Sequence, residues 1–349
     1  MDKQAQDTIF MRRALQLAAI AGVNAAPNPM VGAVIVHDGK IIGEGFHKKY
    51  GKPHAEVNAI NSVENKTLLS ASTMYVTLEP CSHHGKTPPC ADLIIKHNLK
   101  RVVIASKDTF SKVAGRGIKK LQDANIDMTL NVLEEEAREL NKRFFTYHEK
   151  KRPYIVLKWA QTSDGFIDKE RSDKKIGINW ITQPETKTQV HKWRAKEQAI
   201  LVGWKTIAND NPSLTVRNIN EVSPHRFIID PNFSTPKESE IFTDNQNTTI
   251  ITLNKRFNLN SDNVEIIELS DFSLNSILNV IYQKQFLSVF IEGGAYTLTQ
   301  FIDNDLWDEI NVLQGDVNFS TGLPAPKLNI NPTTVYSLGK DKWLHYKKL

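Results

Sequence analysis

Two consecutive α/β layered domains are predicted for this chain, and three observations predict them. Its 349 residues exceed what one ordinary core serves. Short apolar runs alternate with helical patterns in both halves. Between the halves stands Lys150-Lys151-Arg152-Pro153, a short charged segment ended by proline, which places the expected domains at 1–149 and 153–349.

The elements follow in order. Phe10, Ala14, Leu17 and Ala18 share one face of an opening helix, with Asp7 as its expected N-cap. Residues 31–36 form an apolar strand closed by Asp38-Gly39, a hairpin turn signal. A helix is expected over 54–60, just after Pro53, and a strand over 73–78 that ends at Glu79-Pro80-Cys81. Cys90 opens a further helix, so Cys90 and His54 both stand at helix N-termini, where the dipole favours a thiolate. Residues 101–105 read as a strand, and Leu133, Ala137, Leu140 and Phe144 as one closing helix. In the second half, buried strands are expected at 154–160, 199–203, 226–229, 248–252 and 287–291, with helices at 186–196 and 273–282. No short-period repeat or low-complexity tract interrupts them.

Composition narrows the class. Hydrophobic residues make up 40% and charged residues 24%, a soluble globular balance. The net charge of +5 is spread along the chain, which suits a phosphorylated small substrate and argues against nucleic acid. The first residues show no signal-peptide pattern and no run reaches membrane-span length, so a membrane is not expected. Two cysteines in a metal-like context argue against a disulfide framework and for a reducing, cytoplasmic compartment.

Those cysteines carry the most specific chemistry. Cys81 and Cys90 lie in one segment, and His54-Ala55-Glu56 stands upstream. One imidazole and two thiolates leave the fourth position of a tetrahedral zinc open to water. Zinc in such a site brings the pKa of water toward neutrality. Glu56 is placed to take the water's proton and pass it to a ring nitrogen and to departing ammonia. The nucleobase deaminases use this arrangement, with the glutamate as acid/base and not as ligand. Their short signature is P-C-x-x-C, whereas the spacing here is C-x8-C. A structural zinc completed by His83 or His84 is the alternative; H-x-E followed by P-C favours the catalytic reading.

In the second half, Lys158 to Gly165 leaves a strand and enters a turn at Asp164-Gly165. Asp210-Asn211-Pro212-Ser213-Leu214-Thr215 follows a buried strand, and Glu292-Gly293-Gly294 ends another ahead of a helix. Glycines at a strand-to-helix turn allow a cofactor close to the backbone, and a helix N-terminus suits phosphate. No G-x-G-x-x-G occurs in a βα turn, so a Rossmann fingerprint is not supported.

Taken together, these motifs resemble the bifunctional deaminase–reductases of riboflavin biosynthesis over nearly the whole chain. The first half contributes Asn28-Pro29-x-Val31-Gly32-Ala33, Tyr50-Gly51, His54-Ala55-Glu56-Val57 and the segment from Thr77 to Cys90. The second contributes Lys158-x-Ala160, Asp164-Gly165, Trp180-Ile181-Thr182, Asp210 to Thr215 and Glu292-Gly293-Gly294. The resemblance implies a cytidine-deaminase-like three-layer N-terminal domain and a dihydrofolate-reductase-like C-terminal domain. It implies zinc and NADPH as cofactors, and a homo-oligomer. Implied reactions are hydrolysis of the 2-amino group of 2,5-diamino-6-(5-phosphoribosylamino)pyrimidin-4-one, then hydride transfer from NADPH to C1′ of the ribose.

By the same resemblance His54, Cys81 and Cys90 hold zinc and Glu56 is catalytic. Asn28, His47, Lys86 and Asp108 hold the pyrimidine and the ribose phosphate. Arg194, Ser213, Leu214, Arg217 and Glu292 contact the reductase substrate. Ala160, Trp180, Thr206, Asp210, Gly294, Ala295 and Tyr296 line the NADPH site. Bland readings stand beside these: an ion pair for each arginine, a core residue for Trp180, a solvated charge for Lys86 and a hydrogen-bonded histidine for His47.

The chain departs from the family pattern at four places. Asp108-Thr109-Phe110-Ser111 replaces Asp-Pro-Asn-Pro, Thr162 replaces serine, Ile178 stands where serine is common, and Gly315-Asp316-Val317 replaces Ala-Pro-Lys. Two rival readings are weaker. A nucleoside or tRNA deaminase fused to an unrelated domain leaves 210–215 and Glu292-Gly293-Gly294 unexplained. A zinc-stabilised RNA-binding scaffold would have lost Glu56 or a ligand, and all are kept.

Overall fold

The computed structural model describes residues 2–83, 88–109, 115–171, 176–254 and 261–348, and all element counts refer to these. The chain divides into two compact units, Met1–Lys151 and Arg152–Leu349.

The first unit contains α1 (Lys3–Ala19), β1 (Gly32–His37), β2 (Lys40–Phe46), α2 (Ala55–Ser62), β3 (Thr73–Leu78) and α3 (Cys90–Lys96). It continues with β4 (Arg101–Ser106), α4 (Arg116–Asp123), β5 (Asp127–Leu130), α5 (Glu134–Leu140) and α6 (Lys142–Lys150). Its strands form one sheet in the order β2-β1-β3-β4-β5. β1 runs antiparallel to both neighbours, while β3, β4 and β5 are parallel. Side chains alternate across a strand, and the core divides accordingly. Ala33, Ile35, Met74, Val76, Val102 and Ile104 pack against Ala59, Ile94 and Leu121 of α2, α3 and α4. Val34, Val36, Tyr75 and Val103 pack against Met11 and Ala14 of α1 and Ala137 of α5. The unit is therefore a three-layer helix–sheet–helix stack.

Glycine lets α2 lie close on β2. A Cβ at Gly45 would fall 2.3 Å from the Ala59 nitrogen, and one at Gly43 would fall 2.6 Å from the Ala59 oxygen. That close approach sets the depth at which the start of α2 enters the unit.

Two local expectations are corrected. Asp7 does not cap α1, whose N-cap is Asp2. It is buried mid-helix, accepting from both ends of the Arg101 guanidinium at 2.8 and 2.6 Å and from the Tyr75 hydroxyl at 2.9 Å. The single closing helix is two helices, broken at Asn141. That side chain is drawn to the Met30 backbone, accepting its N–H and donating to its carbonyl, each at 2.8 Å.

The second unit contains β6 (Tyr154–Gln161), β7 (Phe166–Asp168), α7 (Pro184–Lys196), β8 (Ala199–Gly203), α8 (Trp204–Asp210), β9 (His225–Ile229), β10 (Thr248–Thr252) and β11 (Val264–Glu268). There follow α9 (Leu274–Gln283), β12 (Ser288–Ile291), α10 (Ala295–Asp303), β13 (Glu309–Gln314), β14 (Leu323–Pro324), β15 (Thr334–Leu338) and β16 (Asp341–Lys347). Nine strands form one sheet in the order β11-β10-β9-β8-β12-β6-β13-β16-β15, and β7 pairs with β14. From β11 to β13 the neighbours are parallel; β16 and β15 add an antiparallel end. Helices α9 and α10 bury Ile277, Leu278, Leu298 and Phe301 against Ile155, Leu157 and Leu201 on one face. On the other, Trp193 of α7 and Ile207 of α8 meet Val156, Ile200, Val202 and Phe290. Both faces of the parallel part are covered, as parallel sheets require.

Candidate active sites

In the first unit the site forms beyond the carboxyl ends of β3 and β4, where open α/β sheets place ligands. His54 is the N-cap of α2, held in extended backbone after Pro53, and its carbonyl accepts the first helical bond from Asn58. Asn58 also ties the preceding loop, donating to Phe46 O at 2.8 Å. Cys90 opens α3 after Pro89. Cys81 follows the end of β3, and its sulfur accepts the Cys90 backbone N–H at 3.3 Å.

These elements bring the His54 Nδ1 and the two sulfurs within 4.8 Å of one another. His54 Nδ1 lies 3.6 Å from Cys81 Sγ and 3.3 Å from Cys90 Sγ. Of the three residues Cys90 is fully buried and the other two are partly so. Three convergent nitrogen and sulfur donors fit a zinc ion with one position left for a non-protein ligand. His54, Cys81 and Cys90 are thus the residues that would hold it.

Glu56 occupies the first turn of α2 and is 3% exposed. Burial, with the neighbouring Cys81 sulfur charge, pushes its carboxyl up to about 7. The His54 charge opposes the shift. Cys81 moves the other way, to about 4, because Cys90 and His54 hydrogen-bond its thiolate.

Asn28 and His47 stand beside this group. His47 is 2% exposed, its Nδ1 lies 3.2 Å from Pro53 O, and its Nε2 lies 3.1 Å from the Asn28 amide nitrogen. Donation to Pro53 leaves Nε2 as acceptor for Asn28. Burial holds the ring's pKa below its ordinary value, and the ring meets His54 edge-on at 5.4 Å. Asp108 lies just past β4 and its backbone N–H reaches Glu79 at 3.3 Å. Lys86 and Phe110 lie outside the described residues.

Glu79 is the structural residue that sequence reasoning passed over. It is 3% exposed, and its carboxylate accepts backbone N–H bonds from Asp108, Gly115, Gly117 and Ile118 at 2.9–3.3 Å. It thereby caps α4 and braces the segment after β4 against the Pro80-Cys81 turn. A Cβ at Gly117 would fall 1.9 Å from the Pro80 oxygen, so only glycine permits this contact. The one signal in the sequence was an acid immediately before Pro-Cys.

The second unit holds a cavity of about 1350 Å3. Arg194, Ser213, Leu214, Arg217, Glu292, Ala160, Trp180, Thr206, Asp210, Gly294, Ala295 and Tyr296 all line it. Arg194 is no surface charge. It is 9% exposed, forks onto Glu292 at 2.8 and 2.6 Å, and donates to Thr215 O at 3.0 Å. Glu292 falls to about 2 despite its burial, under the charges of Arg194 and Lys158. Lys158 also lines the cavity, and burial lowers its pKa. Arg217 is exposed and donates to Ser213 Oγ at 2.5 Å. Gly294 is the N-cap of α10, directing the helix start with Ala295 and Tyr296 at the cavity. Thr206 Oγ1 lies 3.5 Å from where a Gly294 Cβ would be.

The core reading of Trp180 is corrected: it is 55% exposed at the cavity, with Lys187 Nζ 3.3 Å from its ring centroid. Asp210 is already engaged, by Arg171 at 2.6 Å, and burial lifts it to about 6. Arg171 also holds Asp168 at 2.7 Å and Asn209 O at 2.8 Å. Arg171, Asp168 and His191 line the cavity without having been expected there.

The departures find places as well. Thr162 is buried and serves its turn, donating to Asp164 and accepting the Phe166 N–H. Gly315 meets the Ile181 carbonyl so closely that no side chain fits. Ile178 lines the cavity, 44% exposed, and contributes no polar group there.

Known proteins divide the chain in the same way. The family model of the cytidine and deoxycytidylate deaminase zinc-binding region matches residues 4–106, and that of the RibD C-terminal domain matches 153–317. A riboflavin biosynthesis protein RibD of Aquifex aeolicus is 38% identical over 98% of both chains. One from Bacillus amyloliquefaciens is 37% identical over 86% of this chain and 82% of its own. A crystal structure of a diaminohydroxyphosphoribosylaminopyrimidine deaminase/5-amino-6-(5-phosphoribosylamino)uracil reductase from Thermotoga maritima superposes with TM-score 0.90, at 36% identity and covering 100% of each chain. RibD of Acinetobacter baumannii gives 0.89 at 31% identity, covering 99% of each.

Fold, ligand group and cavity together define a two-domain enzyme that joins a zinc-dependent deaminase to an NADPH-using reductase. The chain belongs to the RibD family of riboflavin biosynthesis proteins. Among the described residues no helix is long and apolar enough to cross a membrane.

Proposed function

We propose that residues 1–149 remove the 2-amino group of 2,5-diamino-6-(5-phosphoribosylamino)pyrimidin-4-one, and that residues 153–349 then reduce the ribosyl group to ribityl, giving 5-amino-6-(5-phosphoribitylamino)uracil. One observation carries this reading: the same chain holds an open His54/Cys81/Cys90 group beside buried Glu56 and, in its second unit, a large cavity that the start of α10, Arg194 and Glu292 line.

In the deaminase, bound zinc supplies the Lewis acidity that lets a water lose its proton near neutral pH. Glu56 takes that proton at its carboxylate and delivers it to the ring nitrogen and the leaving amine. Its burial keeps bulk water from competing for that proton. Asn28 and His47 hold the pyrimidine edge, with the Pro53 carbonyl fixing the imidazole tautomer. Lys86 and Asp108 hold the ribose phosphate end.

In the reductase, bound NADPH supplies the hydride. Gly294, Ala295 and Tyr296 receive its phosphates at the start of α10, and Ala160, Trp180, Thr206 and Asp210 complete its site. Glu292 and Arg194, locked on one another, present a rigid polar wall to the sugar. Ser213, Leu214 and Arg217 line the cavity with them, where a guanidinium fork suits phosphate. The diffuse charge supports a small-molecule substrate without nucleic acid, the free thiols support a reducing cytoplasm, and kinship supports a homo-oligomer.

The test is a coupled assay on the diaminopyrimidine ribosyl phosphate, following ammonia and NADPH together. Ammonia release ahead of NADPH oxidation is expected. Ammonia with no NADPH oxidation would sink the second assignment, and neither signal would sink both.

A further inference from the structure

Three separate stretches of the second unit meet at one guanidinium on the cavity wall. Arg171 donates from Nε to Asp168 at 2.7 Å, from Nη2 to Asp210 at 2.6 Å and from Nη1 to the Asn209 carbonyl at 2.8 Å. Asp168 is itself held by its other oxygen, which accepts the Asn179 amide at 2.7 Å and the Lys169 N–H at 2.9 Å. The Gly177 N–H adds a bond to the Asn209 carbonyl at 2.9 Å. Arg171, Asp168, Asn179, Asn209 and Asp210 all line the cavity. An ion pair needed only for stability would match one acid to one cation. Here two carboxylates share a single guanidinium, which leaves a spare negative charge on the wall. That charge falls on Asp210. It meets Arg171 through Oδ1 alone, its Oδ2 takes no hydrogen bond among the described residues, and 29% of its side chain stays open.

We propose that Arg171 is a positioning residue of the NADPH site: anchored on Asp168, it fixes Asp210 Oδ1 and so aims Asp210 Oδ2 at a hydroxyl or amide N–H of the bound cofactor. An ionised carboxylate only accepts hydrogen bonds. Its partner must therefore carry a hydrogen, as ribose hydroxyls and a carboxamide do and an ionised phosphate does not. Phosphates are left to the start of α10, on the same cavity. Arg171 itself acts through protein: the three hydrogen bonds named above all go to side chains or backbone of this chain. Fixing the acceptor before the cofactor arrives removes an ordering cost from binding. The guanidinium between them also lets Asp168 and Asp210 stand on one wall with both charged. The assignment rests on the reductase reading given above.

The test is a double-mutant cycle read by steady-state NADPH oxidation, with the full-length enzyme and 5-amino-6-(5-phosphoribosylamino)uracil. Arg171→Gln keeps much of the side chain's length and loses its charge and its fork. It should raise the KM for NADPH about ten-fold and leave the KM for the uracil within about two-fold of wild type. Asp210→Asn alone should raise the NADPH KM by a similar factor. Placed on top of Asp210→Asn, Arg171→Gln should add less than about two-fold, because no acceptor is left to aim. An unchanged NADPH KM in either single variant overturns the proposal. So does an equal rise in both KM values, or a full further rise in the double variant, which is what a purely structural role gives. Should Arg171→Gln not fold, Arg171→Lys decides. It keeps the charge without the fork and should raise the NADPH KM about three-fold where Asp210 is present; no rise overturns the proposal. If wild type itself oxidises no NADPH with this uracil, the reductase reading fails, and the assignment of Arg171 with it.

Discussion

Glu56 shows how much one residue's surroundings decide. In solution a glutamate is fully ionised at neutral pH. Here burial in the first turn of α2, beside a sulfur charge, raises its proton affinity. Replacing it with the isosteric amide removes the proton carrier and leaves the three ligand atoms where they are. Glu56→Gln should lower ammonia release by about 10²–10⁴-fold, while atomic absorption still finds one zinc per chain. NADPH oxidation on the already deaminated uracil should persist. Loss of zinc with activity would show that Glu56 supports the ligands rather than the proton. The residue types of this site were legible in the sequence, because H-x-E and two lone cysteines have few other uses. Glu79 was not legible: its four amide partners come from a segment about 30–40 residues downstream, joined only by folding.

At the scale of elements, α1 is fastened to β4 by Asp7 and Arg101, both nearly buried. Burial works against the Asp7 charge, yet the Arg101 and Tyr75 hydrogen bonds outweigh it and lower the carboxyl pKa. Asp7→Asn removes the nearer carboxylate of a buried guanidinium, leaving it Thr129 and the more distant Asp127, and should destabilise the first unit by about 3 kcal/mol. The pH dependence has a definite sign. A lowered carboxyl pKa stabilises fully above its unfolded value, about 3.9, and that contribution disappears as pH falls through the folded value. Chemical denaturation should therefore show a wild-type advantage at pH 7 that closes as the solution is acidified below about pH 4. A gap unchanged by acid would mean the pair is not what stabilises α1. Sequence patterns found the strands that read as buried apolar runs, such as β8 and β10. They did not reach β16, Asp341 to Lys347, whose charged residues mask its pairing with β13 and β15. They misread Asp7 as a cap because a helix-start acid and a mid-helix ion-pair acid look alike until the partner strand is known.

For the whole molecule, each unit has its own sheet and its own hydrophobic cores. The metal ligands belong wholly to the first unit and the cavity wholly to the second. Stripping zinc with a chelator should abolish ammonia release, while NADPH oxidation on the deaminated uracil stays within about two-fold. Equal loss of both activities would show that the metal stabilises more than its own unit. Readding zinc should restore ammonia release if the chelated chain keeps its fold.

The brace made by Glu79 has a consequence for how this metal centre tolerates change. One cysteine stands two residues beyond a carboxylate clamped to four amides; the other opens a helix and donates its own N–H to the first cysteine's sulfur. Both thiol positions are thus anchored from outside the stretch that joins them. With Cys90's own N–H on the Cys81 sulfur and Glu79 clamped just upstream, a C-x8-C spacing brings the two sulfurs together as C-x-x-C does.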